Sequence, residues 1–137
     1  MGERGPLKAD AATCTPCTLT RRTPKELDGA AAAEWKRLIG ILDGLGHVCD
    51  LDRHLLVTHC QAWARLLEAE AIIVKEGIIG TDAKGGDRRA PAVQVWRDAS
   101  AVLQSTGDRL LLSPTARMRS PSISEAEDDD AAADLFD

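Results

Sequence analysis

From Asp28 onward the apolar positions fall into helical periods. Ala31, Trp35, Leu38, Leu42 and Leu45 recur at steps of three and four, which places them on one face of a helix. Asp28 is its expected N-cap, and Gly44 and Gly46 its stop near Leu45. Leu56, Cys60, Trp63, Leu67, Ala71 and Val74 form the stripe of a second helix, capped by Asp50 or Asp52 and ending near Glu76 before Gly77. The connection from Gly46 to Cys49 is short, so these two stripes are expected to face each other as an antiparallel helical hairpin. Pro91 suits the first turn of a third helix, whose Val95, Trp96, Ala99, Val102 and Leu103 share a face until Gly107. Ser113-Pro114 reads as an N-cap with Pro at N1, which starts a short final helix. Between Ile78 and Ala90, Ile78-Ile79 could open a strand and Asp82-Ala-Lys-Gly-Gly-Asp87 reads as a turn; a small β-hairpin and a plain loop fit equally. The fold class expected is therefore mainly α.

Both ends break the pattern. Residues 1–26 mix Gly, Pro, Thr and charges without a period and read as a flexible basic arm; 27–120 form the helical domain; 121–137 read as a disordered acidic tail. One domain suits 137 residues with 44% hydrophobic and 28% charged positions. Aromatic side chains are scarce, three Trp and one Phe without any Tyr, and each of the three main helices carries one Trp. The expectation is that Trp35, Trp63 and Trp96 converge on one seam. The rest of the core is then aliphatic and small, and partner chains are needed to bury enough surface. The residues expected in core or oligomer contacts are Trp35, Leu38, Leu42, Leu56, Cys60, Trp63, Leu67 and Trp96.

Charge changes the picture by its placement. The net charge is −5, but Glu125 to Asp137 holds seven acids and no base; without it 15 acids face 17 bases, or +2. A mildly basic body with an acidic tail can touch a polyanion at one end and repel it at the other. The candidate DNA-binding cations are Arg21, Arg22 and Lys25 before the first helix, Lys36 and Arg37 on it, Arg53 at the start of the second, and Lys84, Arg88 and Arg89 in the 78–90 segment. The apolar pair Leu135-Phe136 inside the acidic run is a candidate docking motif for a protein partner.

Catalytic constellations are not found. Gly85-Gly86 is followed by Asp87, the wrong charge for cradling phosphate, and no G-x-S-x-G supports a nucleophile. Cys14-Thr-Pro-Cys17 could be half of a zinc site, yet no second pair completes it, and His54 and His59 lie five apart rather than four. No cofactor and no metal is expected. No apolar run is long enough to span a membrane, and the N-terminus lacks the apolar stretch of a signal peptide, which points to the cytosol and to four thiols.

Several short elements then fall into a known order. Ala33-Glu34-Trp35-Lys36-Arg37-Leu38, Cys60-Gln61-Ala62-Trp63-Ala64-Arg65, Glu76-Gly77 and Leu112-Ser113-Pro114-Thr115-Ala116-Arg117 resemble, in sequence and order, the small subunit of tailed-phage terminases. The resemblance covers about Leu27 to Arg119, and the acidic tail with a late Phe is also typical. It implies a non-enzymatic DNA-packaging protein of the host cell cytoplasm that assembles into a homo-oligomeric ring, recognises the packaging site on double-stranded viral DNA, and regulates the ATPase and nuclease of the large terminase subunit. It carries over no residue-level DNA site. Two other classes remain open at this point: a dimeric helix-turn-helix-like regulator using the turn Gly46-His-Val-Cys-Asp50, and a zinc-stapled adaptor using Cys14 and Cys17.

Overall fold

A computed structural model describes residues 19–46 and 48–119. Four helices and one two-stranded sheet follow in order: α1 (Gly29–Leu45), a single 3-10 turn (Asp50–Asp52), α2 (Arg53–Glu76), β1 (Ile79–Thr81), β2 (Asp87–Arg89), α3 (Pro91–Arg109) and α4 (Pro114–Arg119). The fold is mainly helical, as the periodicity predicts. The 78–90 segment is a β-hairpin, antiparallel with Ile79 opposite Arg89, Gly80 opposite Arg88 and Thr81 opposite Asp87.

The helix ends follow local chemistry. Gly46 adopts the left-handed conformation (φ 68°) and its N–H bonds Leu42 O, so it ends α1, while Gly44 lies inside the helix. Asp28 occupies the N-cap position without a side-chain cap bond. Asp52 accepts the Cys49 N–H at 3.1 Å and so organises the 3-10 turn that leads into α2. Asp50 turns to the other side. Its carboxylate accepts both the backbone N–H and the hydroxyl of Thr20, at 2.7 and 2.9 Å, tying the incoming chain to the start of α2.

α3 runs past Gly107, which is buried in the helix, and ends two residues later. There the Leu112 N–H reaches back to Gly107 O at 2.8 Å and Leu111 takes φ 59°, a tight reversal that usually recruits glycine. The next turn is clasped by side chains. Ser113 Oγ accepts the Ala116 N–H and donates to Asp108, and the Arg117 guanidinium donates to Leu112 O at 2.8 Å. The Leu-Ser-Pro-Thr-Ala-Arg element is thus a structural corner joining α3 to α4.

The core lies between α1 and the N-terminal half of α2. Trp35, Leu38, Ile39 and Leu42 of α1 cluster with Leu56 and Cys60 of α2, together with Leu19, Leu27 and Leu110. Residues 19–26, expected within a flexible arm, are therefore docked on the helical body through Leu19 and Thr20. Of the three tryptophans only Trp35 joins this core; Trp63 and Trp96 are half-buried, and Leu67 is exposed. The single aromatic seam is not formed, because small residues fill the space between α2 and α3. Cys49 is disulfide-bonded, which corrects the expectation of four thiols. Cys60 is a buried free thiol, whose pKa burial pushes up to about 12, so it packs as a small apolar group.

The most extensive helix pairing joins α2 to α3, which run antiparallel across the β-hairpin: His59 meets Thr106 near one end, and Ile78 O accepts the Ala90 N–H at the other. Their buried residues include Ala62 and Ala69 on α2 and Ala92 and Ala99 on α3. Trp35, 1% exposed, anchors the self-contained part of the fold. Trp35→Ala should lower unfolding free energy by about 3–5 kcal/mol in urea denaturation followed by circular dichroism. The half-buried Trp63 should cost less when replaced in the same way, and equal losses would contradict this placement.

Candidate nucleic-acid interface

Each candidate cation has to be read with the acids around it, because a guanidinium already paired with a carboxylate offers less to a phosphate. Arg21, carried into place by the docked segment, pairs with Asp43 of α1. Arg37 forms a two-pronged pair with Glu34 one turn earlier, at 2.9 and 2.6 Å. That hydrogen bonding raises the Arg37 pKa further, so its charge is permanent but locally balanced. Arg53 reaches Glu26 at 3.2 Å. Three of the nine cations singled out by sequence are thus internally matched.

The other six are exposed and form no ion pair among the described residues. Arg22 and Lys25 line a hollow of about 290 Å³ together with Thr20 and Arg53. Lys36 lies on α1. Lys84, Arg88 and Arg89 belong to the β-hairpin, with Lys84 in its turn. Arg53 opens α2 and the hairpin follows its last residue, so the helix separates the two basic groups by about 35 Å at 1.5 Å per residue. The structure brings Arg22, Lys25 and Arg53 together and keeps the hairpin cations apart from them.

A different cluster was not legible in the sequence. His59 is 7% exposed, and its Nδ1 lies 2.7 Å from the Thr106 hydroxyl of α3. That hydroxyl donates to Val102 O at 2.7 Å, so toward the imidazole it acts as acceptor and the ring proton is assigned to Nδ1. His59 borders a cleft of about 650 Å³ that also takes in the Glu34–Arg37 pair, Trp63 and Leu112. Burial holds the imidazole pKa below its ordinary value, against the opposing pull of Glu34.

Among the described residues, two helix faces stay uncovered. Beyond Ala64, Ala69 is the only buried residue of α2, while Leu67, Ile72 and Val74 are exposed; on α3 Val95 and Val102 are exposed as well. A hollow of about 250 Å³ opens between the two helices beside Gln61, Arg65, Val95 and Val102. Among the described residues no three His, Cys, Asp or Glu side chains converge to hold a metal ion, and no helix is long and apolar enough to cross a membrane. Cys14, Cys17, Leu135 and Phe136 lie outside the described residues.

The His59 geometry makes a pH prediction. As pH falls, the unfolded chain takes up the imidazole proton first, near about 6.5, because the folded value is lower. Its stabilising contribution is therefore complete above that pH and declines below it. The urea midpoint should drop more between about pH 7 and pH 5 for the wild type than for His59→Gln. Parallel curves would show that His59 does not titrate differently on folding.

Comparison with known proteins adds one finding. The family model described as phage terminase, small subunit, matches residues 31–127. No curated protein and no solved structure matches the chain.

Proposed function

The chain belongs to the phage terminase small-subunit family, whose general role is in DNA packaging, and from that membership we propose that it is a non-enzymatic subunit that recognises the packaging site on viral double-stranded DNA as an oligomeric ring. In this reading it acts in the host cytoplasm and regulates the ATPase and nuclease of the large terminase subunit. The observation that carries it is the family match, which spans nearly all of α1 and the whole of α2 to α4 and continues into the acidic segment.

The physical features support the same reading. The exposed apolar side chains of α2 and α3, Leu67, Ile72, Val74, Val95 and Val102, are what a second copy of the chain would cover in a ring. The six candidate cations that lie exposed outside the internal ion pairs, multiplied around such a ring, sum to a strong and salt-sensitive attraction for duplex DNA. The acidic tail, with Leu135 and Phe136 near its end, is repelled by that DNA and left to engage the large subunit. A helix-turn-helix regulator finds less support. α2 is packed by both α1 and α3, the cation at its start is paired with Glu26, and the exposed Thr58 hydroxyl bonds His54 O within the helix.

Two measurements test the proposal. Duplexes spanning the start of packaging on the phage genome should bind more tightly than shuffled duplexes of the same length, and equal affinity at every salt concentration would contradict site recognition. Removing Glu125 to Asp137 should leave DNA binding intact and abolish stimulation of the large subunit's ATP hydrolysis. Full stimulation by the truncated chain would remove the tail from that role.

A further inference from the structure

The β-hairpin between α2 and α3 stands out by its exposure. Every residue from Thr81 to Arg89 is exposed, as are Ile78 and Ile79. Its turn is nevertheless closely tied. Asp82 Oδ1 accepts the N–H groups of Lys84 and Gly86, both at 2.8 Å; the Asp82 N–H bonds Gly86 O, and the Gly85 N–H bonds Asp82 O. Gly85 takes φ 81°, and a Cβ on Gly86 would sit 3.2 Å from Asp82 Oδ2, so both glycines serve the tight closure. Asp82 is thereby engaged with the turn, and Lys84 is carried on an ordered tip rather than a floppy loop.

The register decides where the other two cations point. Residues directly opposite in an antiparallel pair share a face of the ribbon, and successive residues alternate. Arg88 lies on the face of Gly80, where no opposing side chain crowds it; Arg89 lies on the other face, with Ile79, Thr81 and Asp87. The hairpin therefore carries Arg88 on one side, Arg89 on the opposite side and Lys84 at the tip. Such a distribution suits neither a single small anion nor a flat anionic surface, because the two guanidiniums face apart. It suits a slot with negative charge on both walls.

We propose that this hairpin enters a groove of duplex DNA tip-first, with Arg88 and Arg89 on the phosphates of opposite groove walls and Lys84 leading. The inference rests on the DNA-binding reading above and assigns the contact surface within it. A B-DNA major groove is about 12 Å wide, enough for a two-stranded ribbon, and is flanked by the two phosphate backbones. The tied turn lowers the ordering entropy lost on insertion. Asp87, on the Arg89 face, opposes the contact and limits its strength. Arg21, Arg37 and Arg53 are held by Asp43, Glu34 and Glu26, whereas the hairpin cations are available as they stand.

The test uses the full-length chain and a labelled duplex of about three helical turns, with fluorescence anisotropy read across a salt series. Replacing Lys84, Arg88 and Arg89 together by Ala should weaken binding at least roughly ten-fold near 0.15 M salt and flatten the log–log salt dependence by about 0.9 for each phosphate no longer neutralised. Arg88→Ala and Arg89→Ala should each flatten it separately, since they serve different walls. Asp87→Asn should tighten binding, an effect that a purely structural role would not produce and that keeps the test informative if the triple variant assembles poorly. The single strand of the same length should bind more weakly than the duplex. Wild-type protein that ignores duplex DNA altogether would overturn the DNA-binding reading itself. Wild type that binds, with the hairpin variants unchanged in affinity and slope or with the single strand preferred, would overturn the hairpin assignment alone.

Discussion

The interface between α2 and α3 is sealed by alanines, and much of the molecule's behaviour depends on that. Ala62, Ala69, Ala92 and Ala99 let two long helices approach closely, and the His59–Thr106 hydrogen bond fixes them at the end nearer the core. Alanine buries little apolar area, so this pairing gains far less per residue than a leucine seam, for which burial of each side chain contributes about 1.5–3 kcal/mol. The larger side chains, Leu67, Ile72, Val74, Val95 and Val102, are turned outward instead. Among the described residues this helical pair therefore leaves apolar surface uncovered, which is the surface the proposed ring would bury.

The other end of the molecule is self-sufficient. Trp35, Leu38, Leu42, Leu56 and Cys60 form a continuous core that Leu19, Leu27 and Leu110 close, and the corner made by Ser113 and Arg117 sets the direction of α4. The chain thus separates three kinds of surface along its length. A compact end holds the fold, a thin helical pair exposes apolar side chains, and an exposed ribbon at the tip of that pair carries positive charge outside the internal ion pairs. The corner that precedes the acidic segment lies at the opposite end of α3 from the ribbon, so the proposed DNA and large-subunit contacts would not compete for one surface.

Local signals made the elements readable and long-range ones did not. The apolar periods, Gly46, Gly77, Pro91 and Ser113-Pro114 mark helices whose ends the structure reproduces within a residue or two. Gly107 misled because a buried glycine beside His59 looks, in one dimension, like a helix stop. Trp63 and Trp96 satisfy the helical period, yet the alanine seam that leaves them half-buried is a property of two helices meeting. The cations were all visible, but their availability was not. Glu34 lies three residues from Arg37, whereas Asp43 and Glu26 are 22 and 27 residues from the arginines they neutralise. The choice between hairpin and loop at 78–90 was undecidable from pattern because the strands have three residues each. That choice decides where Arg88 and Arg89 point.

The most direct measurement is the native mass of the intact protein by light scattering at moderate salt, set beside a variant carrying Ile72→Glu and Val95→Glu on the outward face of α2 and α3. Assembly through that face predicts a single closed species many times the 14.7 kDa chain mass for the wild type, and a folded protomer for the variant. A wild type that stays at the chain mass, with and without duplex DNA, or a variant that assembles as before, would contradict it.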